Sequence, residues 1–146
     1  MPVYNVNRPS SALSTTNDTL TIVATSSKPL RLIFGKLAGM GTASAANEVL
    51  LMRSSGGSGG GGAITPTPVN SGDAAASFAV YTTWSTQPTA GAVLHRFAPN
   101  ANGGIDPWVA VPGAEISIPV SGQVSLRSAS GTSNVVPNFT IEEVVG

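Results

Sequence analysis

The stretch RSSGGSGGGGAITP, from Arg53 to Pro66, decides whether this chain forms one domain or two. A cut at the glycine run would leave a piece of residues 1–55, whose apolar residues fall in the short runs LTIVA, LRLIF and VLLM. A piece of that size buries too little apolar surface to fold without a disulfide or a metal, and the chain has no cysteine. We therefore predict a single domain over residues 1–146, with residues 55–63 as a flexible glycine-rich loop inside it.

The charge of the chain excludes several classes of partner. Lys and Arg number 7, Asp and Glu number 7, and only 10% of the residues are charged. A nucleic-acid binder needs a basic face, and a polybasic membrane anchor needs a basic cluster, so neither class of partner is expected. The low charge indicates a surface that faces other protein, although a monomer with a surface rich in Ser and Thr has a similar composition.

Period-two alternation predicts a chain built from strands. The 17 glycines and 11 prolines leave little room for helices, and only Gly41–Leu51 has the composition for a helical turn. Eight short runs alternate and end at turn residues: TLTIVAT, LRLIFGKL, EVLLMRS, SFAVYTTW, AVLHRF, EISIPV, QVSLRS and NFTIEEV. The residues that share one face within their strand are Leu20, Ile22 and Ala24; Leu30, Leu32 and Phe34; Phe78 and Val80; Val93, His95 and Phe97; Ile116, Ile118 and Val120; Val124 and Leu126; and Phe139 and Ile141.

These runs favour an all-β sandwich or barrel, with an antiparallel jelly roll as the first choice. An immunoglobulin-like sandwich is the alternative, although its Cys–Trp–Cys pattern is missing. Ser121-Gly122 predicts a tight hairpin, and the run SASGTSNVVPNF predicts a longer hairpin loop. Pro137 cannot donate to a ladder, so its strand should begin late or lie at a sheet edge.

No motif in the sequence predicts an active site. Gly56, Ser58 and Gly60 form a literal G-x-S-x-G, followed by Asp73 and then His95 in the order of a hydrolase triad. However, GGGGAITPTP follows the serine, and this run cannot form the helix that a nucleophile elbow requires. A single histidine without cysteine does not predict a zinc site, and Glu142 and Glu143 should point to opposite faces of a strand. We expect no catalytic residue, no cofactor and no metal.

Four residues are the candidates for contact with a partner protein. The segment MPVYNVNRPSSALS, residues 1–14, is polar and contains two prolines. We predict that it is an extended N-terminal arm that reaches a neighbour and adds little to the stability of the core. Tyr4 and Arg8 lie on this arm, while Trp84 and Trp108 lie beside proline-rich turns and can either close the core or form interface hot spots.

The segment Pro66–Ile118 resembles small virion proteins of tailed bacteriophages, through PTPVNSGDAAASFAVYT, TQPTAG, LHRF and NGGIDPWVAVPGAEI, and the later run GQVSLRSASGT continues the likeness. The resemblance implies a capsid decoration (cement) protein without catalytic residues. Such a protein forms a dimer or trimer on the outer surface of the virion capsid, contacts the major capsid protein, and is made in the cytoplasm of the bacterial host. A receptor-binding or fibre β domain is the alternative, and a virion-borne hydrolase is the third class.

Overall fold

The computed structural model describes residues 1–145, which form β-strands and connecting segments without a helix. The strands are β1 (Val3–Asn7), β2 (Ser11–Ala12), β3 (Leu20–Val23), β4 (Leu30–Met40), β5 (Glu48–Ser55), β6 (Thr67–Pro68), β7 (Ala79–Tyr81), β8 (Thr89–Phe97), β9 (Asn102–Val109), β10 (Ile116–Ile118), β11 (Gln123–Ser130) and β12 (Asn134–Glu143). The all-β prediction is confirmed. Gly41–Leu51, which has the composition for a helical turn, contains no helix, and its last four residues belong to β5.

Two antiparallel sheets pack against each other as a β-sandwich. The first sheet has the order β10-β4-β12-β1-β6, with β9 also paired to β4 and β2 to β12, and the second has the order β7-β3-β11-β5-β8. The core lies between the sheets and contains most of the predicted inward side chains, among them Leu20, Ile22, Val124, Phe139 and Ile141. The sandwich is therefore established, while the jelly-roll topology stays a prediction.

Both halves of the chain contribute strands to both sheets. In the first sheet, β12 lies between β4 and β1, and in the second sheet β11 lies between β3 and β5. Neither half can therefore form a complete sheet without the other, and a single domain over residues 1–146 stays our prediction.

We expect the two halves to remain associated after cleavage within residues 56–62, because the ladders β1–β12, β4–β12 and β5–β11 cross that point of the chain. A variant with an inserted protease site tests this by size-exclusion chromatography before and after cutting, with the uncut variant as the control. A half that is separated in denaturant and refolds alone, with native circular dichroism, would contradict the prediction.

The prediction of an extended arm over residues 1–14 is wrong. β1 pairs with β12 on one side and with β6 on the other, so it is an internal strand of the first sheet. Tyr4, Val6 and Leu13 are buried in the core. The polar residues of β1 alternate with these buried ones and face outwards, as in a half-buried strand. The overall polarity of the segment therefore gave the wrong prediction of an arm.

The glycine run is not a freely solvated loop. Ser58 and Gly61 form isolated bridges with Thr86 and Thr83, so the run lies along the segment that follows β7. A Cβ added at Gly57 would lie 3.1 Å from the Trp84 ring, and one at Gly60 would lie 3.1 Å from the Tyr81 ring. Gly57 also has a φ of 86°, which favours glycine, and at both positions an added Cβ would press on the ring unless the ring moved by a few tenths of an ångström.

Two predicted hairpins are instead connections between the sheets. The turn after β10 forms as expected, with Gly122 N–H donating to Pro119 O over 2.9 Å and Ser121 at a φ of 58°. However, β10 pairs with β4 in the first sheet, whereas β11 belongs to the second sheet. The loop between β11 and β12 crosses back in the same way, so local turn chemistry predicted the bends correctly but not the strands that they join.

Pro137 lies in the middle of β12, an internal strand, so the prediction of a late start or an edge position is wrong. Arg8 N–H donates to the Pro137 carbonyl, which therefore points towards the β1 side. In an antiparallel strand the nitrogen and carbonyl of one residue point the same way. The Pro137 nitrogen thus faces the break between β1 and β2, where no ladder donor is needed.

Three residues predicted to face the core do not, two of them because their strand pairing is irregular. The ladder between β4 and β12 shifts between Thr140 and Ile141, which turns Phe34 to the outer face of the sheet. The ladder between β5 and β8 shifts in the same way and separates Val93 from the face of His95. Val120 lies beyond the end of β10 and is exposed.

Candidate interaction surface

Strand β9 and the segment that follows it expose several apolar side chains to solvent. Ile105, Val109 and Val111 are 63%, 66% and 69% exposed, and Pro107 between them is also exposed. The alternate residues Asp106 and Trp108 are less exposed. We call Ile105, Pro107, Val109 and Val111 the outer stripe. An antiparallel sheet with one wet face normally presents polar residues there, whereas β9 presents apolar ones.

Neighbouring residues of β4 extend the outer stripe into a wider surface. Val109 pairs with Phe34, Pro107 with Lys36, and Ile105 with Ala38. Directly opposed residues of an antiparallel pair share a face of the sheet. The outer stripe together with Phe34, Lys36 and Ala38 therefore forms one continuous region, which we call the apolar face.

Lys36 is the one basic residue of the apolar face. The ion pairs within residues 1–145 are Lys28–Glu143, Arg31–Glu142, Arg96–Glu48 and Arg127–Asp18, and none of them includes Lys36. On the other side, Lys36 pairs with Asn138 of β12, which is uncharged. The apolar face thus carries a cation without a carboxylate in the part of the chain that the structure describes.

Tyr4 and Arg8 were predicted as partner contacts on an arm, and the structure places both against the body. Tyr4 is 1% exposed, packs edge-to-face on Phe78 at 5.6 Å, and donates from its hydroxyl to Ala74 O over 3.0 Å. Burial, and then the charges of Glu143 and Asp73, raises the pKa of Tyr4. The Arg8 guanidinium donates to Thr19 O, and burial lowers the pKa of Arg8. Tyr4 is therefore a core residue with no surface to offer a partner.

The two tryptophans are half-buried lids. Trp84 packs edge-to-face on Tyr81 at 5.2 Å, and its indole N–H donates to Thr21 Oγ1 over 3.0 Å. Trp108 packs against the core with its ring 6.0 Å from that of His95. Trp108 lies on β9 but on the less exposed side of the strand. The apolar side chains that β9 exposes belong to its neighbours Pro107 and Val109.

A buried polar network that the sequence analysis missed lies on the outer side of the second sheet, beneath Trp84. Asp18 accepts hydrogen bonds from Thr21 Oγ1 over 2.8 Å, from Ser125 Oγ over 2.6 Å and from Arg127 Nε over 2.8 Å. The side chain of Asp18 is 0% exposed and that of Arg127 is 15% exposed. Asp18, Thr21 and Ser125 had no sequence signal beyond their polarity, because the network forms only when β3 and β11 pair.

An open groove of about 480 Å³ lies where β1 begins and β12 ends. Glu143 at its base accepts hydrogen bonds from Ser77 N–H over 2.5 Å and Ser77 Oγ over 2.8 Å, and it pairs with Lys28 at 3.3 Å. Burial acts to raise the pKa of Glu143, but the hydrogen bonds from Ser77 and Lys28 and the charge of Lys28 outweigh it and lower that pKa. Glu142 instead pairs with Arg31, which bears out the prediction of opposite faces.

The groups of the literal hydrolase pattern are not joined to each other. Ser58 is exposed in the glycine run, and the His95 ring packs edge-to-face on Phe97 at 4.5 Å. Within residues 1–145, Ser58 N–H donates to Thr86 O and Asp73 N–H donates to Asn70 O, so the hydrogen bonds of these residues lead away from each other. The same residues contain no group of three or more His, Cys, Asp or Glu side chains arranged to hold a metal ion.

Two further findings concern the class of the protein. In the described part of the chain, no helix has the length and apolar character needed to span a membrane. Comparisons with protein-family models, curated proteins and solved structures found no match to this chain.

Proposed function

We propose that the chain is a non-enzymatic structural protein of a bacteriophage virion: a capsid decoration protein that binds the outside of the shell and stabilises contacts between major capsid protein subunits. The observation that carries the proposal is the apolar face, which exposes Ile105 and Val109 of β9 and Val111 just beyond the end of that strand. Exposed apolar patches of this kind mark surfaces that other proteins cover. The low charge of the chain and the likeness of Pro66–Ile118 to small phage virion proteins support the same function.

In this proposal the apolar face attaches the protein to the shell. The tested variant is the double change Ile105→Asp and Val109→Asp, which places two charges on exposed positions and leaves the core intact. The matched control places the same charges elsewhere, on the exposed residues Thr89 and Ala92 of β8, in the other sheet. Shells stripped of the protein are incubated with each form, and bound copies and rupture temperature are measured.

We expect the original chain and the β8 control to bind in many copies and to raise the rupture temperature, and the apolar-face variant to do neither. Equal rupture temperatures with and without the original chain would contradict the decoration function. A copy number of only a few per virion would favour the alternative of a fibre or receptor-binding domain.

A further inference from the structure

We infer that the protein surface covering the apolar face carries a carboxylate that pairs with Lys36; this inference rests on the proposed attachment to the shell. The partner surface is otherwise apolar. The inference concerns the chemistry of the partner and follows from the position of one cation among apolar residues.

The neighbours of Lys36 define what a partner must contact. Pro107 lies directly opposite on β9, and Phe34 and Ala38 lie two residues away on the same face of β4. Side chains at i±2 in a strand lie on one side of the sheet. Lys36 therefore has apolar neighbours along β4 and on the β9 side and the uncharged Asn138 on the β12 side, and any partner that covers Val109 and Ile105 also approaches Lys36.

Covering this surface removes water from the Lys36 ammonium, which is unfavourable unless another group replaces the water. Within residues 1–145 Lys36 takes part in no ion pair, so the chain supplies no carboxylate for it. A carboxylate on the partner would provide both the charge and the hydrogen-bond acceptors. Charge complementarity of this kind also sets the register of an interface that is otherwise apolar.

A protein partner fits this face better than an anionic membrane. Recruitment to anionic lipid uses clusters of basic residues, whereas the apolar face has Lys36 alone. A second copy of the chain related by a two-fold axis through the face would bring two Lys36 side chains together, and like charges at an interface oppose association.

The test compares the affinity of four forms for stripped shells, each at low and high salt. The variants are Lys36→Met, which removes the charge and keeps the length, and Lys36→Arg, which keeps the charge. The control, Arg96→Met, removes one exposed cation from the opposite sheet. The melting temperature of each variant is measured to check that the substitution does not disturb the fold.

We expect Lys36→Met to weaken binding about 30-fold or more, as for removal of one partner of a buried charge pair, and to reduce the salt dependence. Lys36→Arg and Arg96→Met should stay within about threefold of the original chain. The sign of the change is decisive, because on a purely apolar partner the loss of the ammonium would make binding tighter.

Unchanged or tighter binding by Lys36→Met would overturn the inference but not the proposed function. If binding is unchanged, the lysine side chain extends past Pro107 and keeps its ammonium group in water. Flotation of the chain with anionic vesicles, lost in Lys36→Met, would assign the face to lipid. Dimerisation of the purified chain through the apolar face, seen by sedimentation, would also reject the inference. If the original chain does not bind shells at all, the proposed function fails and the inference fails with it.

Discussion

Deletion of residues 1–14 is expected to abolish the folded state. The deletion removes β1, which pairs with β12 from Val3↔Glu142 to Asn7↔Asn138, and it removes the buried side chains of Tyr4, Val6 and Leu13. Burial of a large apolar side chain contributes about 1.5–3 kcal/mol, so the three together contribute roughly 5–9 kcal/mol. A domain of this kind has a total free energy of unfolding of about 5–15 kcal/mol, so little of it would remain.

Two valines of β1 provide matched point variants for this prediction. Val6 is fully buried, whereas Val3 lies on the same strand and is only partly buried. We expect Val6→Ala to lower the free energy of unfolding by about 2 kcal/mol and Val3→Ala by less than about 1 kcal/mol. Circular dichroism with denaturant titration measures both variants and the deletion. A deletion variant that melts cooperatively at the original temperature would show that β1 is dispensable.

Among the single substitutions of polar residues proposed here, we expect Asp18→Ala to lower the free energy of unfolding the most. Asp18 is fully buried and accepts hydrogen bonds from Arg127, Ser125 and Thr21. Its removal leaves the largely buried Arg127 guanidinium without its carboxylate. Loss of one partner of a buried ion pair typically costs about 3–5 kcal/mol, because the remaining charge is uncompensated.

An exposed ion pair serves as the control for Asp18. Arg96 and Glu48 are joined at 2.5 Å, but their side chains are 60% and 41% exposed, so Glu48→Ala should cost no more than about 1 kcal/mol. The double variant Asp18→Leu with Arg127→Met should recover part of the stability lost in Asp18→Ala, since no charge is left buried. Chemical denaturation of the four forms gives the comparison. Equal losses for Asp18→Ala and Glu48→Ala would refute the proposed weight of the buried network.

Much of the core could be predicted from alternation alone. Leu20, Ile22, Val124, Leu126 and Phe139 were placed correctly, because a strand with one face in the core repeats apolar residues at every second position. Phe34 and Val93 were misplaced because their ladders shift register, and one extra residue reverses the face of everything beyond it. The shift depends on the partner strand, so the run itself contains no sign of it.

The candidate site was only partly predictable. The run IDPWVAV alternates Ile105, Pro107, Val109 and Val111 with Asp106, Trp108 and Ala110, so its two faces are distinct in the sequence. Alternation does not show which face the rest of the protein covers. Trp108 was the predicted partner contact because of its large aromatic ring. The exposed residues of β9 are instead those on the opposite side of the strand. The sequence did not indicate Lys36 as a contact residue, because the apolar residues beside it on β9 are distant in the chain.

The sequence by itself determined the all-β class, most of the strands that carry the core, the bends at Ser121-Gly122 and in the run SASGTSNVVPNF, and a composition with few charges. Only the tertiary structure decided which sheet each strand joins, that residues 1–14 are part of the sandwich, and that the glycine run rests on Tyr81 and Trp84. The reason is the range of the interactions. Turn preference and alternation act over a few residues, whereas β1 pairs with β12 at the other end of the chain, with Asn5 and Thr140 joined across 135 positions.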